Sequence, residues 1–242
     1  MSRWLVLTVV VLIPGSLLAP GEKKKDDGFV ALFDKDGVPK GWVVRAWNDV
    51  SKPVRGDPKW VVKDGVLRPT GGRGTWLMSE KQYGDFILEY EVKLSKLGNS
   101  GVALRAPMKG DPAFDGMELQ MADLRYNTRA KPSELTGGIY RAIAPIKQVY
   151  KPTEWNRFRV ELRGPRLKAT LNVVLIHDTD LREHTKPVPR HDRSLAPPVK
   201  DRPRRGHIGF QHLSRDGQPV LIRKVRIKVL DRKDEPASKP AA

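Results

Sequence analysis

Two neighbouring segments of the chain carry polar side chains at alternate positions. Glu118 and Gln120 alternate with methionine and leucine, and Arg105 alternates with valine and leucine in the segment before. Successive side chains of a strand point to opposite faces, so neighbouring strands would bring these three groups to one open surface, with Asp123 just beyond the strand. Carboxylates and a guanidinium on one surface suit sugar recognition and acid–base chemistry, although charge pairing across an exposed sheet gives the same pattern.

Aromatic and basic side chains elsewhere could also meet a ligand. Trp76 and Trp155 have flat rings that can stack on a sugar, and both would serve equally well in a core. Arg223 has the same strand parity as Val225 and Ile227, so the pattern predicts that it points inward or to the rim of a groove. A buried guanidinium needs a partner, which is either a core carboxylate or a substrate.

The motifs of several other function classes are missing from the sequence. Its five histidines lack metal-ligand spacing and it has no cysteine. It contains neither a glycine-rich phosphate loop before a helix nor a Gly-x-Ser-x-Gly elbow. Nucleotide binding and serine hydrolysis are therefore disfavoured.

The elements that must position these groups are predicted to be strands. Apolar and polar residues alternate in residues 86–94, 156–163 and 221–230, and turn signals separate these runs. No convincing amphipathic helix exceeds two turns, so the pattern predicts an antiparallel sandwich or barrel. Residues 177–205 break the alternation with five prolines and many charges, which indicates a long surface loop or insertion.

The termini resemble export and linker sequences around one domain. The 242 residues suit a single domain, predicted at 28–230, with a polar linker at 20–27 and a flexible tail at 231–242. Residues 1–19 have the layout of a signal peptide, namely one arginine, a short apolar run and small residues. An uncleaved anchor is the alternative, but the run stops short of the ~20 apolar residues that a spanning helix needs. We expect a periplasmic or extracellular protein, without stable membrane insertion after signal removal.

The chain is strongly basic, with a formal net charge of +17. Eight lysines and arginines fall within residues 182–205, where they could face an acidic polymer or form a solvated loop. This run lacks interleaved aromatic residues and helical spacing, so no specific nucleic-acid partner is expected.

An ordered series of segments resembles the 3-keto-disaccharide hydrolase family, also described as 3-keto-α-glucoside lyase and 3-keto-2-hydroxyglucal hydratase. The resemblance covers residues 28–230. Its most informative segments are Tyr83-Gly-Asp-Phe86, Gly98-Asn-Ser-Gly-Val-Ala-Leu-Arg105, Gly116-Met-Glu-Leu-Gln120, Thr136-Gly-Gly-Ile-Tyr140 and Gly206-His-Ile-Gly-Phe-Gln211. It implies an all-β, concanavalin A-like jelly-roll sandwich of two antiparallel sheets, of the lectin and glucanase kind, and a carbohydrate ligand.

The resemblance also implies a site and a reaction. The matching motif positions are Asn99, Arg105, Glu118, Gln120, Tyr140 and Gln211. A ketone at C3 acidifies the C2 hydrogen, so a base can form an enolate, the C1 substituent can leave, and water can add.

Each step of this reaction has a candidate residue. Glu118 is the candidate base, Arg105 the enolate stabiliser, and Tyr140 or His207 the acid. The remaining substrate-binding candidates are Asn99, Gln120, Asp123, Trp155, Gln211 and Arg223. No cofactor is certain. A divalent cation could stabilise the enolate, with oxygen ligands from Glu118, Gln120 and Asp123.

Two features depart from the family pattern and bear on substrate fit. Asn172-Val173 stands where an Asn-Gly turn is usual, and the segment from His177 to Arg205 is longer and more basic than expected. Two other functions fit the same scaffold: a non-catalytic carbohydrate-binding module, and a retaining glycosidase. The glycosidase is the weaker alternative. In the Glu-x-Asp-x-x-Glu glucanase pattern, Gln120 puts an amide in place of the middle carboxylate, and Asp123 is shorter than the last glutamate.

The apolar run from Trp4 to Ile13 generates a prediction about export. In a secreting bacterial host, the mature protein should appear outside the cytoplasm and begin near residue 20, because signal peptidase removes such a segment. N-terminal sequencing of the exported protein checks this. An intact Met1 in a soluble cytoplasmic fraction would contradict it.

Overall fold

The computed structural model describes residues 27–230, which form two antiparallel β-sheets packed face to face. The fold class predicted from the alternation and the resemblance, an all-β sandwich of the concanavalin A-like kind, is confirmed. The predicted signal peptide, the linker apart from Asp27, and the tail at 231–242 lie outside the described residues.

Strands account for almost all of the regular structure. In chain order they are β1 (Val30–Ala31), β2 (Trp42–Ala46), β3 (Trp60–Lys63), β4 (Val66–Pro69), β5 (Thr75–Tyr83), β6 (Phe86–Lys93), β7 (Asn99–Ala106), β8 (Met117–Ala122), β9 (Asn156–Arg163), β10 (Arg166–Leu171), β11 (Val174–Asp180), β12 (Val188–Pro189), β13 (Leu195–Ala196), β14 (Gly206–His212) and β15 (Leu221–Val229). One short helix, α1, spans Pro112–Asp115, and 3₁₀ turns span Pro132–Glu134, Leu181–Glu183 and Val199–Asp201. Within residues 27–230, no helix is long and apolar enough to cross a membrane.

The two sheets differ in size and in role. The larger sheet has the order β11-β10-β9-β6-β15-β4-β3, with β1 paired to β15. The smaller sheet has the order β2-β5-β14-β7-β8. β12 and β13 form a separate two-stranded hairpin. The smaller sheet carries the family motifs on β7, β8 and β14, so it is the sheet that positions the candidate site.

The core between the sheets is built from alternate residues of the strands. Phe86, Leu88, Tyr90 and Val92 are buried, and the Tyr90 ring stacks on Phe158 with centroids 5.0 Å apart. Fully burying one such side chain stabilises the fold by ~1.5–3 kcal/mol. The predicted inward residues of these strands are therefore confirmed. Val229 shares the strand parity of Val225 and Ile227, which predicts an inward direction, but it is exposed at the end of β15.

A β-bulge turns Arg105 away from the surface predicted for it. Along β7, two residues oppose Ile208, and Arg105 has a φ of 52°. Its side chain is fully buried and donates to Gly84 O (2.8 Å), Gly164 O (2.8 Å) and Asp85 Oδ1 (2.9 Å). The prediction that Arg105 shares an open face with Glu118 is wrong, because the extra residue of a bulge reverses strand parity.

A second bulge reverses the parity of Arg223. Lys224 has a φ of 53°, and the register against β6 shifts between Arg223 and Arg226. Arg223 therefore lies on the outward face of the larger sheet, where it pairs with Glu91 (2.7 Å) and covers the Trp155 ring at 3.9 Å. The predicted inward direction of Arg223 is wrong, and Trp155 lies on this outer face as well.

The segment at 177–205 is more structured than the predicted loop. Residues up to Asp180 belong to β11, and two 3₁₀ turns and the β12–β13 hairpin follow. Val188 and Ala196 pack on Ala113 and Phe114, beside the smaller sheet. The interpretation as a surface loop is therefore wrong for these buried residues, although most of the charged side chains are exposed.

The turn that departs from the family pattern keeps a left-handed backbone without glycine. Asn172 and Val173 join β10 to β11 with φ values of 49° and 64°. A β-branched residue is strained there, and Val173 is also exposed. This hairpin therefore carries a local cost that glycine would relieve.

The buried contacts of Arg105 predict a large loss of stability on truncation. Arg105→Ala removes the ion-pair partner of Asp85, which keeps its hydrogen bond from Gly164 N, and removes the donors to Gly84 O and Gly164 O. The free energy of unfolding should therefore fall by ~3–5 kcal/mol. Urea denaturation measures this change. The matched control is Arg163→Ala, which removes an exposed pair with Glu161 and should cost only ~0–1 kcal/mol. Equal effects of the two variants would contradict a structural role for Arg105.

Candidate functional site

Strand pairing in the smaller sheet gathers four polar side chains on the face that points away from the core. Gly101 pairs with Gln120, and Asn99 pairs with Ala122. Gln211 follows Phe210, the partner of Val102, so it lies beside Gly101. Directly paired residues share a face of the sheet. Asn99, Glu118, Gln120 and Gln211 therefore face the same way, as the alternation predicts for Glu118 and Gln120.

Glycine at position 101 makes room for the Glu118 carboxyl group. A Cβ atom built on Gly101 would lie 1.8 Å from Glu118 Oε1. The carboxyl group therefore rests on the bare backbone of β7. Ala103, the residue directly opposite Glu118, has a small side chain that leaves this position open. Any larger residue at position 101 would displace the carboxyl group.

The surroundings of the Glu118 carboxyl group favour its neutral form. Glu118 is buried, and its Oε1 has no hydrogen-bond partner among the described residues. Burial, with a smaller contribution from the charge of Asp111, raises the pKa of Glu118 well above its usual range. A neutral carboxyl group can donate a hydrogen bond or a proton, whereas the predicted role of Glu118 as a base requires the ionised form.

Asp111 is a second buried carboxyl group, and sequence reasoning missed it. It caps α1 by accepting a hydrogen bond from Ala113 N (3.0 Å). Burial raises the pKa of Asp111 to about 7, and the charges of Asp115 and Asp49 act in the same direction. The sequence signal is Asp111-Pro112, which is typical of a helix start and says nothing about a site.

Contacts from two distant segments fix the position of Asp111. The preceding Gly110 donates its N–H to Asp49 Oδ1 (3.0 Å) and accepts from Val50 N (2.8 Å). Arg202 donates to Ala113 O (3.2 Å) and Gly116 O (2.9 Å), at the two ends of α1. Burial lowers the pKa of Arg202 to about 10. This value is still well above 7, so the side chain is charged at neutral pH.

Acceptor oxygens without partners line the site. Asn99 Oδ1, Gln211 Oε1 and Glu118 Oε1 are buried and have no hydrogen bond among residues 27–230. Gln120 Oε1 differs, because it accepts from Met121 N (2.8 Å). An unpaired buried acceptor costs ~1–3 kcal/mol. A ligand or water that supplies several hydroxyl donors would relieve this cost.

A groove of about 600 Å³ lies over these side chains and is called the first groove below. Asn99, Gln120, Gln211 and Asp111 lie in its lining, and Trp47, Tyr140 and His191 contribute rings. The Trp47 backbone accepts from the indole of Trp76 (2.9 Å), which is buried below it. The volume of the first groove falls in the usual range for small-molecule sites, roughly 300–1,000 Å³.

Arginines that sequence reasoning missed border the first groove. Arg141 bonds to Glu134 Oε1 (2.8 Å) and covers the ring of Tyr140 at 5.4 Å. Arg215 covers Tyr126 at 4.2 Å, and Arg73 also lies in the lining. These residues bring positive charge to the groove, which is the role predicted for Arg105. They belong to loops, where strand parity gives no information.

The predicted acid candidates fall in different places. Tyr140 borders the first groove, and burial raises the pKa of its hydroxyl above the usual range, so it stays protonated. His207 lies at the other end of β14, where its Nδ1 contacts Ser79 O (2.7 Å) and its Nε2 contacts Gln82 (3.3 Å). The structure therefore brings Tyr140 to the groove and does not bring His207 there.

Asp123 has partners that already use its carboxylate. Its two oxygens accept from Arg125 (2.7 and 2.8 Å), and Tyr150 OH donates to Oδ2 (3.1 Å). Burial alone would raise the pKa of Asp123, but these hydrogen bonds lower it below the usual range. It borders a smaller cavity beside the first groove, together with Asn99 and Gln120.

The predicted cation ligands are not gathered into a cluster. Asp123 is paired with Arg125, and Gln120 Oε1 accepts a backbone hydrogen bond. In the part of the chain that the structure describes, no three histidine, aspartate or glutamate side chains are placed to hold a metal ion together. The geometry therefore draws attention to the two buried carboxyl groups rather than to a metal centre.

Comparison with known proteins connects this chain to a family and to a fold. The family described as the 3-keto-alpha-glucoside-1,2-lyase-like domain matches residues 28–228. A Bacteroides thetaiotaomicron protein named 3-keto-disaccharide hydrolase is 26% identical over 241 residues, which cover 85% of this chain and 79% of that protein.

Two crystal structures of Parabacteroides distasonis proteins, provisionally described as glycosyl hydrolases, have the same fold. One has a TM-score of 0.66 at 25% identity and covers 84% of this chain and 99% of its own. The other has a TM-score of 0.64 at 25% identity and covers 88% and 99%. These similarities support the sandwich architecture independently of the strand pattern.

The burial of Asp111 predicts an unusual dependence of stability on pH. Its folded-state pKa is about 7 against an ordinary 3.8, so its stabilising contribution is fully present below pH 3.8 and is lost as the pH rises through 7. Asp111→Asn keeps the acceptor for Ala113 N and stays neutral. The variant should match the wild type near pH 4 and exceed it in stability near pH 8 by a difference on the order of 4 kcal/mol.

Urea denaturation at a series of pH values measures this difference. The control is Asp57→Asn, because the Asp57 side chain is 83% exposed. This control should follow the wild type at every pH. If Asp111→Asn shows the same pH dependence as the wild type, Asp111 is not a buried group that titrates near neutral pH.

Proposed function

Because the chain belongs to the 3-keto-alpha-glucoside-1,2-lyase-like domain family, we propose that it cleaves 3-keto glycosides or disaccharides by elimination and hydration through a C2 enolate. The observation that carries this proposal is a pair of buried carboxyl groups. Asp111 lies in the lining of the first groove, and Glu118 lies near enough for the charge of Asp111 to raise its pKa. Their pKa values are both raised, and burial is the main cause in each case.

The reaction needs one proton acceptor and one hydrogen-bond donor. A ketone at C3 acidifies the hydrogen on C2, so a base can remove it and leave an enolate. The C1–O bond then breaks, and the departing oxygen takes up a proton. Water adds to the resulting double bond, its oxygen going to C1 and a proton to C2. The products are a free 3-keto sugar and the released alcohol.

The two carboxyl groups suit these two roles. Asp111 has a pKa of about 7, so at neutral pH a large fraction is ionised and can accept the C2 proton. The proton that Asp111 gains is the one that the departing oxygen needs. Glu118 stays neutral and can donate a hydrogen bond to the enolate oxygen. Carboxyl groups in different environments commonly divide the acid and base roles in this way.

Tyr140 and Arg141 can stabilise the negative charge that develops on the substrate during this reaction. The Tyr140 hydroxyl keeps its proton and can donate to an oxygen of the substrate. The guanidinium of Arg141, over the Tyr140 ring, supplies positive charge near the forming enolate. This charge takes the place of the one assigned to Arg105 from the sequence.

A sugar fits the remaining features of the first groove. Hydroxyl groups can donate to the unpaired oxygens of Asn99 and Gln211, and the ring of Trp47 offers a flat apolar face. The proposal also includes export of the chain, which rests on the signal-like pattern of residues 1–19. Its substrate would then be met in the periplasm or outside the cell.

The proposal is tested by incubating the protein with a 3-keto glucoside and with the unoxidised parent glucoside. We expect turnover of the keto sugar only. Turnover of the parent would instead indicate an ordinary glycosidase. Binding of the keto sugar without turnover would indicate a carbohydrate-binding module.

The roles of the carboxyl groups are tested by hydrogen exchange at C2 of the keto sugar in heavy water, which reports proton abstraction directly. Asp111→Asn should slow exchange by ~10²–10⁴-fold, the usual contribution of a general base. Glu118→Gln keeps a hydrogen-bond donor and should slow it less. Asp57→Asn is the exposed control. If Glu118→Gln abolishes exchange and Asp111→Asn does not, Glu118 is the base, as the sequence predicts.

A further inference from the structure

A second groove begins where the first one ends. It has a volume of about 490 Å³ and shares Trp47, Asp111 and His191 with the first groove. These three side chains therefore form a common wall between the two grooves. Both volumes fall in the range of small-molecule sites, roughly 300–1,000 Å³.

The lining of the second groove has the chemistry of a sugar site. Trp47 and His191 provide aromatic surface, and the buried ring of Phe114 lies behind His191. Asn48, Lys52 and Ser194 provide polar groups at its edge. Aromatic faces bordered by hydrogen-bonding side chains suit a ring with an apolar face and several hydroxyl groups.

The walls of the second groove are held in place by contacts within the chain. Arg190 forms an ion pair with Asp115, and both side chains are largely buried. This pair ties the hairpin of β12 and β13 to α1. The His191 ring then packs at 5.3 Å from Phe114 and at 5.9 Å from both Trp47 and Tyr140. A groove formed by such contacts exists before any ligand binds.

We propose that the second groove binds the leaving-group sugar of a 3-keto disaccharide, so that the bond to be broken lies beside Asp111 and His191. This inference rests on the proposed function. If Asp111 removes the proton from C2 of a ring in the first groove, C1 lies one bond away. A substituent on C1 that extends past the common wall enters the second groove, which lies on the other side of that wall.

In this arrangement, His191 stands between the two sugar rings of the disaccharide. Partial burial lowers the pKa of His191, and the charge of Arg141 acts in the same direction, so the imidazole is neutral at neutral pH. A neutral imidazole can donate to or accept from a glycosidic oxygen. The hairpin that carries His191 thus contributes to substrate choice.

The test compares two substrates that differ only in the leaving group, a 3-keto disaccharide and methyl 3-keto-glucoside. Asn48 is exposed at the second groove, and Asn48→Trp fills that space. We expect it to lower kcat/KM for the disaccharide by about 10-fold or more, equal to ~1.4 kcal/mol, and to change methyl 3-keto-glucoside by less than about twofold. Lys52→Ala should act in the same direction with a smaller effect.

The matched control is Asn127→Trp, because Asn127 is exposed at the first groove. It should impair both substrates equally. Circular dichroism and thermal unfolding establish that each variant is folded. If Asn48→Trp impairs both substrates equally, or neither, the second groove is not the leaving-group site.

A failure of the proposed function is distinguishable from a failure of this inference. If the wild type turns over neither keto substrate, the proposed function is wrong. Calorimetric titration with the unoxidised disaccharide and with methyl glucoside then tests the groove alone. The disaccharide should bind about 10-fold more tightly, and Asn48→Trp should remove this difference. Equal affinities in the wild type would overturn the inference.

Discussion

Glu118 is buried over Gly101 with no partner for Oε1, and a carboxyl group in that position is stable only while it is neutral or while a ligand supplies a hydrogen bond. Much of the site follows from this constraint. Asp111 lies close enough for its charge to raise the pKa of Glu118 further, so the two groups cannot both ionise freely. The sandwich maintains the arrangement by giving one face of β7 and β8 to the core and the other to the groove. The sheet thus positions Glu118, and the cap of α1 positions Asp111.

Buried arginines keep the segments around the sheet in position. Arg105 joins β7 to two turns. The turn at Gly84 connects β5 of the smaller sheet to β6 of the larger one, and the turn at Gly164 connects β9 to β10 within the larger sheet. Arg202 joins the segment after β13 to α1, which presents Asp111. Each guanidinium has several donors in a fixed geometry, so one side chain can satisfy carbonyl groups from separate loops. A basic residue in this sequence is therefore often a structural link, and the high net charge overstates what is available to a ligand.

The sequence predicts the sandwich well and the site only in part, for physical reasons. Alternation places β6 and β9 and brings Glu118 and Gln120 to one face, because a regular strand has a strict period of two. The bulges at Arg105 and Lys224 break that period, and nothing in the local sequence announces them. Asp111 belongs to a loop and a helix cap, so contacts distant in the chain decide its position. The resemblance supplies Asn99, Tyr140 and Gln211, which alternation alone does not single out.

The hairpin that carries His191 is held to the body of the protein by side-chain contacts. These are the packing of Val188 and Ala196, the ion pair of Arg190, a hydrogen bond from Arg141 to Pro189 O, and the ring contacts of His191. Sequence change in such a segment has little effect on the sheets, since neither sheet includes its strands. Loops tolerate substitution and insertion better than the elements they connect. The width and lining of the second groove can therefore change with this hairpin while β7 and β8 keep their positions.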